Sequence, residues 1–214
     1  MLLDILTVAI LGVVGLRLAT IASRAARSRP LRDRTVTIVR GLRARHFLLG
    51  VPALVAVGTV AFLLIEVPGL DFGWWWALGG TSNVITGSTE QGTDNVVLRL
   101  VPFVFLSVLL PLLPLLAERE ERMFRLGAED WSTARRAVRA VQFGLIHLIM
   151  GVPIGVALAL SVGGGYFTWA YLRGYRRGRS QEAGLLEATR AHTAYNAVVV
   201  TLVLVSLILI ESTR

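Results

Sequence analysis

Residues 97–117 read VLRLVPFVFLSVLLPLLPLLA, twenty-one positions with one charge, Arg99. As a helix at about 1.5 Å per residue this run is about 30 Å long, the thickness of a bilayer's hydrocarbon core. Similar runs occupy about 3–22, 47–67, 153–175 and 183–210. Hydrophobic residues make up 54% of the chain and charged residues 17%, with mean hydropathy +0.65. Soluble domains hold about 45–50% apolar and about 25% charged residues. The chain therefore reads as an integral membrane protein, one all-α domain over 1–214, built as a polytopic transmembrane helical bundle.

From Ala140 to Tyr175 the sequence is apolar for too long to be one span and is short for two. Pro153, just after Gly151, suits the first turn of a helix, so the spacing predicts a short helix over 135–151 and a longer one over 153–175. That makes about six membrane helices. The GGG at 163–165 is read as a kink or a close-packing site. The GWWW at 73–76 suits an interfacial aromatic belt. No internal repeat is visible.

The formal charge is +8 and every basic residue is arginine. A pI near 11.2 is one mark of nucleic-acid binders, but no RNA or DNA motif accompanies it, and the distribution of the arginines has another reading. Segments 22–46, 118–139 and 173–190 hold eight, six and five of the 22 arginines, and 68–95 holds none. Six spans with the N-terminus outside put all three basic segments on the cytoplasmic side. Signal peptides carry basic residues ahead of the apolar stretch; here Asp4 precedes it and the arginines follow, as expected of an uncleaved first span. The expected location is the plasma membrane, with the lipid bilayer as partner and no nucleic acid. There is no cysteine, which excludes disulfides, thiolate metal sites and a cysteine nucleophile.

Ionisable groups inside membrane helices are costly and are commonly functional. Three stretches carry them. In EERMFR, Glu121 and Arg125 stand at i, i+4 and can pair. Glu120 lies about 100° round the helix from Glu121, so one carboxylate can be neutralised while the other stays available. A solvated helix end, laced by Glu118 and Arg122, is the simpler reading. In FGLIH, Phe143 and His147 share a face; a histidine hydrogen-bonded between helices is the simpler reading. In HTAYN, His192 and Asn196 share a face; interhelical hydrogen bonding is again the simpler reading. His46, at the end of the first basic segment, is read as interfacial with no role. Taken together, the stretches offer a carboxylate and an imidazole to polarise water, and a second imidazole and a carboxamide to stabilise an oxyanion. Those are the parts needed to hydrolyse an acyl bond.

The ordered set EExxxR (Glu120, Glu121, Arg125), FxxxH (Phe143, His147) and HxxxN (His192, Asn196) resembles the motifs of the CAAX-protease and bacteriocin-processing family of intramembrane proteases. That family includes the type 2 CAAX prenyl endopeptidases and lysostaphin-resistance proteins. The likeness covers about 97–210, the expected catalytic core. It implies an intramembrane endopeptidase acting on a peptide or protein substrate, with its site open to the cytoplasm. Glu120 with His147 would activate the attacking water, Glu121 and Arg125 would brace the site, His192 and Asn196 would stabilise the oxyanion, and Phe143 would shape the pocket. The resemblance implies a glutamate-activated water with no cofactor. The zinc-dependent alternative would draw on Glu120, His147 and His192, since no HExxH is present. Two departures bear on substrate class: Leu126 comes between Arg125 and Gly127, and the gap before the third motif is long and basic. A bacteriocin-immunity or scaffold protein of the same fold is the non-enzymatic alternative. A small transporter is a third, weakened by the lack of a repeat.

Overall fold

The computed structural model describes residues 2–79 and 96–212. Eight α-helices account for most of them: α1 (Leu2–Arg27), α2 (Arg29–Arg40), α3 (Ala44–Ile65), α4 (Trp74–Ala77), α5 (Val96–Arg125), α6 (Thr133–Leu145), α7 (Ile154–Gly178) and α8 (Gln181–Ser212). Short 3₁₀ turns, Ala128–Asp130 and Ile146–Met150, flank α6. Among the described residues there is no strand. The protein is an all-α helical bundle, and α1, α3, α5, α7 and α8 are long and apolar enough to cross a membrane.

The expected sixth membrane helix, 135–151, is corrected. α6 has 13 residues, about 20 Å, short of a hydrocarbon core of about 30 Å. It gives way to a 3₁₀ turn at Ile146, just after Gly144, one of the weakest helix formers. Five 3₁₀ residues at about 2 Å each add about 10 Å. Residues 133–150 thus reach as far as a long helix without being one. Gly151, at φ +80°, ends the turn in a left-handed conformation that suits glycine. Pro153 then sits at the N-cap of α7, one position before the expected first turn.

α7 runs unbroken through the GGG, so the stretch is a packing site and not a kink. Only the middle glycine needs to be one for space: a Cβ on Gly164 would lie 2.8 Å from the Ala140 carbonyl oxygen. Across the same contact, a Cβ on Gly144 would lie 2.3 Å from the Ala157 carbonyl oxygen. These contacts run α6 antiparallel to α7. The α7–α8 hairpin is equally close, with Gly174 against Ala183 and Gly184 against Tyr171. Helices brought this near exchange many small dispersion contacts, the attraction that holds packed helices together where water is absent.

An aromatic core lies where α5, α6, α7 and α8 meet, formed by Phe124, Phe143, Phe167, Tyr171 and Tyr195. The tryptophans of GWWW differ in exposure, with Trp76 42% exposed. Trp75 is buried, and Trp74 Nε1 donates to the Leu148 carbonyl at 2.7 Å. Ile154 N and Gly155 N donate to the carbonyls of Phe72 and Leu70. The chain after α3 is thereby pinned to the start of α7. Of the arginine-free segment 68–95, residues 80–95 lie outside the described residues.

The first basic segment is helical, with Pro30 in the first turn of α2. α2 buries Ile38 and turns most of its arginines outward. Arg34 ties it to the bundle: its guanidinium meets Glu118 of α5 at 2.7 Å and also bonds Glu182 of α8. Burial opposes the Arg34 charge, but the two carboxylates outweigh it and hold the group above its ordinary pKa.

Candidate functional site

The three motifs converge. Glu121 and Arg125 project from the last turns of α5, and Arg125 Nη1 donates to Glu121 Oε1 at 3.0 Å. The i, i+4 pair expected from spacing is formed and is dry: Glu121 is 0% exposed and Arg125 1%. Such a pair persists in a dry site only if its other bonds are good. Arg125 has them. Nη2 donates to the Gly164 carbonyl at 3.3 Å, and the guanidinium lies 4.2 Å above the centroid of Phe143 and 5.5 Å from that of Phe167. A desolvated cation over a ring contributes up to about 2 kcal/mol.

His192 of α8 completes the cluster. Its Nδ1 lies 2.8 Å from Glu121 Oε1. As the acceptor of the Arg125 ion pair, this oxygen takes a hydrogen bond from Nδ1–H. Nε2 faces Glu120 Oε2 at 3.8 Å, beyond direct hydrogen-bond reach. The ring stacks on Phe167 at 4.2 Å and 19°, and meets Phe143 edge-on at 5.6 Å. One imidazole is thus clamped by two rings and addressed by both glutamates. Glu121 holds it from the buried side. Glu120, with a side chain 34% exposed, meets it from the open side. The expected division between the two carboxylates is present, although they share a ring where the 100° separation suggested separate surroundings.

His147 lies in the 3₁₀ turn after α6, with its ring 5.2 Å from Phe143. Its Nδ1 is 2.9 Å from the Phe143 carbonyl. A carbonyl only accepts, so Nδ1–H donates and Nε2 of the neutral ring keeps its lone pair. Asn196, one turn beyond His192, is half-buried and makes no hydrogen bond among the described residues. Also among them, no three His, Cys, Asp or Glu side chains converge as a set able to hold a metal ion. Buried Glu121 Oε2 and Thr193 Oγ1 have no hydrogen-bond partner among the described residues.

Sequence reasoning missed Phe167, and it read Gly164 as a packing or kink position without its carbonyl's bond to Arg125. Phe167 lies on α7, whose apolar stretch carries no polar signal that would single it out. It also missed a second cluster. His46, expected to have no role, is 3% exposed, with Nε2 3.5 Å from Glu187 Oε2 of α8. Arg45 Nη2 bonds the same carboxylate at 3.0 Å. His46 Nδ1 accepts from the Arg43 backbone N–H and caps α3. The available signal was Glu187 itself, a carboxylate five residues before His192 that needs a cation if it is buried.

Comparison with protein-family models, with curated proteins and with solved structures finds no match in any of the three. The likeness to the CAAX-protease and bacteriocin-processing family rests on its three motifs.

Proposed function

We propose that this protein is a membrane-embedded endopeptidase of the CAAX-protease and bacteriocin-processing type. The observation that carries the proposal is His192, held at Nδ1 by buried Glu121 and presenting Nε2 toward the partly exposed Glu120. Three stretches distant in sequence meet at that ring, and the arrangement has a fixed side and an open side. Glu120 accepts a proton from water, with the Nε2 lone pair of His147 as the second acceptor, and the water attacks a peptide carbonyl. His192 and the carboxamide of Asn196 stabilise the oxyanion. Glu121 and Arg125 position the His192 ring and touch no substrate, and Phe143 walls the pocket. Residues 133–150, which reach about 30 Å, carry the chain back across; the three basic segments then share one side, and the positive-inside rule makes that side, onto which the site opens, the cytoplasm of a multi-pass plasma-membrane protein.

The test is cleavage of a membrane-anchored peptide library by the purified protein. Glu120→Ala and His147→Ala each lower the rate by at least about 100-fold, the usual contribution of a general base. Equal rates for both variants and the parent would end the assignment. A non-enzymatic scaffold is favoured by one observation: Glu121, Arg125 and His192 are buried and bonded to one another, as structural side chains are. On that reading the phenotype of a strain carrying this protein survives Glu120→Ala.

A further inference from the structure

Away from the candidate site, α1, α2 and α5 line an open cavity of about 520 Å³. Ligand sites run from about 300 to 1,000 Å³. Its walls are apolar where Ile21 of α1, Leu31 of α2 and Leu115 of α5 meet. Its rim is cationic, with Arg24, Arg34, Arg119 and Arg122. Two of these charges are answered. Glu118 accepts from Arg34 and Arg122, and Glu182 also bonds Arg34. Arg24 and Arg119 have no ion pair or side-chain hydrogen bond among the described residues.

The cavity is placed where a lipid headgroup would lie. Arg24 is in the last turn of α1, and Arg122 in the last turn of α5. These are the ends at which two apolar helices become polar. A soluble anion would leave the Ile21, Leu31 and Leu115 walls without a partner, and a zwitterionic lipid would leave the two arginines unanswered. The geometry points to a binding site for one anionic phospholipid, with its phosphodiester between Arg24 and Arg119 and the start of an acyl chain against Ile21, Leu31 and Leu115. Arginine's planar fork suits phosphate oxygens, and basic pockets between membrane helices on the cytoplasmic side bind such headgroups.

Native mass spectrometry of the full chain from detergent containing phosphatidylglycerol or phosphatidylcholine tests the site. Each arginine contributes about fivefold to binding of an anionic lipid, so the pair is expected to give phosphatidylglycerol about a thirtyfold preference. Arg24→Gln with Arg119→Gln should remove the preference. Leu31→Trp keeps every arginine, fills the apolar part, and should also weaken retention at least tenfold. It serves equally if the double variant fails to fold. Millimolar glycerophosphate should not displace the lipid. Equal retention of the two lipids by the parent would overturn the proposal. So would unchanged retention by Arg24→Gln/Arg119→Gln or by Leu31→Trp. Displacement by glycerophosphate would overturn it in favour of a soluble-anion site.

Discussion

The N-terminal half of α8 carries two clusters with the same parts. Glu121, Arg125 and His192 form one; Glu187, Arg45 and His46 form the other. His192 and Glu187 are five residues apart, about 140° round one helix, so one cluster faces α5 and the other α3. In the first, Arg125 is 1% exposed and walled by Phe143 and Phe167. In the second, the Arg45 side chain is 33% exposed. The second also has a local task, because His46 caps α3. His192 caps nothing, and its second nitrogen is directed at Glu120. Identical side chains thus make a clasp in one place and a candidate site in the other. The difference lies in desolvation and in what the free nitrogen faces.

The largest effect should come from breaking the dry cluster. Arg125→Ala leaves Glu121 buried without its cation, which costs about 3–5 kcal/mol. Denaturant titration in mild detergent would read it. A loss below about 1 kcal/mol would mean that water reaches Glu121 and that the two clusters do not differ in kind. Gly144→Ala comes next. It adds a methyl 2.3 Å from the Ala157 carbonyl oxygen and forces α6, with Phe143, away from α7. Overpacking of this kind costs about 1–3 kcal/mol. Because Phe143 walls only the first cluster, the histidine NMR shifts of His192 should move and those of His46 should stay.

What was legible in the sequence follows physical range. The long apolar helices were legible because length and hydropathy are local. The Glu121–Arg125 pair was legible because one helical turn sets its spacing. The break at Ile146 was not, since the apolar pattern continues through a 3₁₀ turn. Nor was the burial of Trp75 within GWWW, because it packs on Gly151, a partner about 75 residues away along the chain. Phe167 stacks on His192 from a helix whose composition looks uniformly apolar. Positive-inside reasoning treats arginines as solvated, so it could not pick out Arg34 and Arg45, which bond carboxylates across the fold.

Glu187→Gln sharpens the comparison from the other side. It removes the charge that Arg45 and His46 share but keeps a carbonyl acceptor for Arg45, and the expected loss is about 1 kcal/mol. The proposed peptidase activity should persist, since no proposed catalytic group touches Glu187. Loss of activity at unchanged stability would move the second cluster into the site.

The smallest effect belongs to Arg45→Gln. A partly exposed ion pair contributes about 0.2–1 kcal/mol, because water and counterions compete for both partners. Salt should separate it from the Arg125 cluster. Raising ionic strength from 0.15 to 1 M shortens the screening length from about 8 to about 3 Å. The difference between Arg45→Gln and the parent should then shrink toward zero, while the Arg125→Ala loss stays, since ions cannot enter a pair that is 0% and 1% exposed. If both losses fell together with salt, the wall of Phe143 and Phe167 would not be keeping solvent out, and His192 would have no dry side against which to be held.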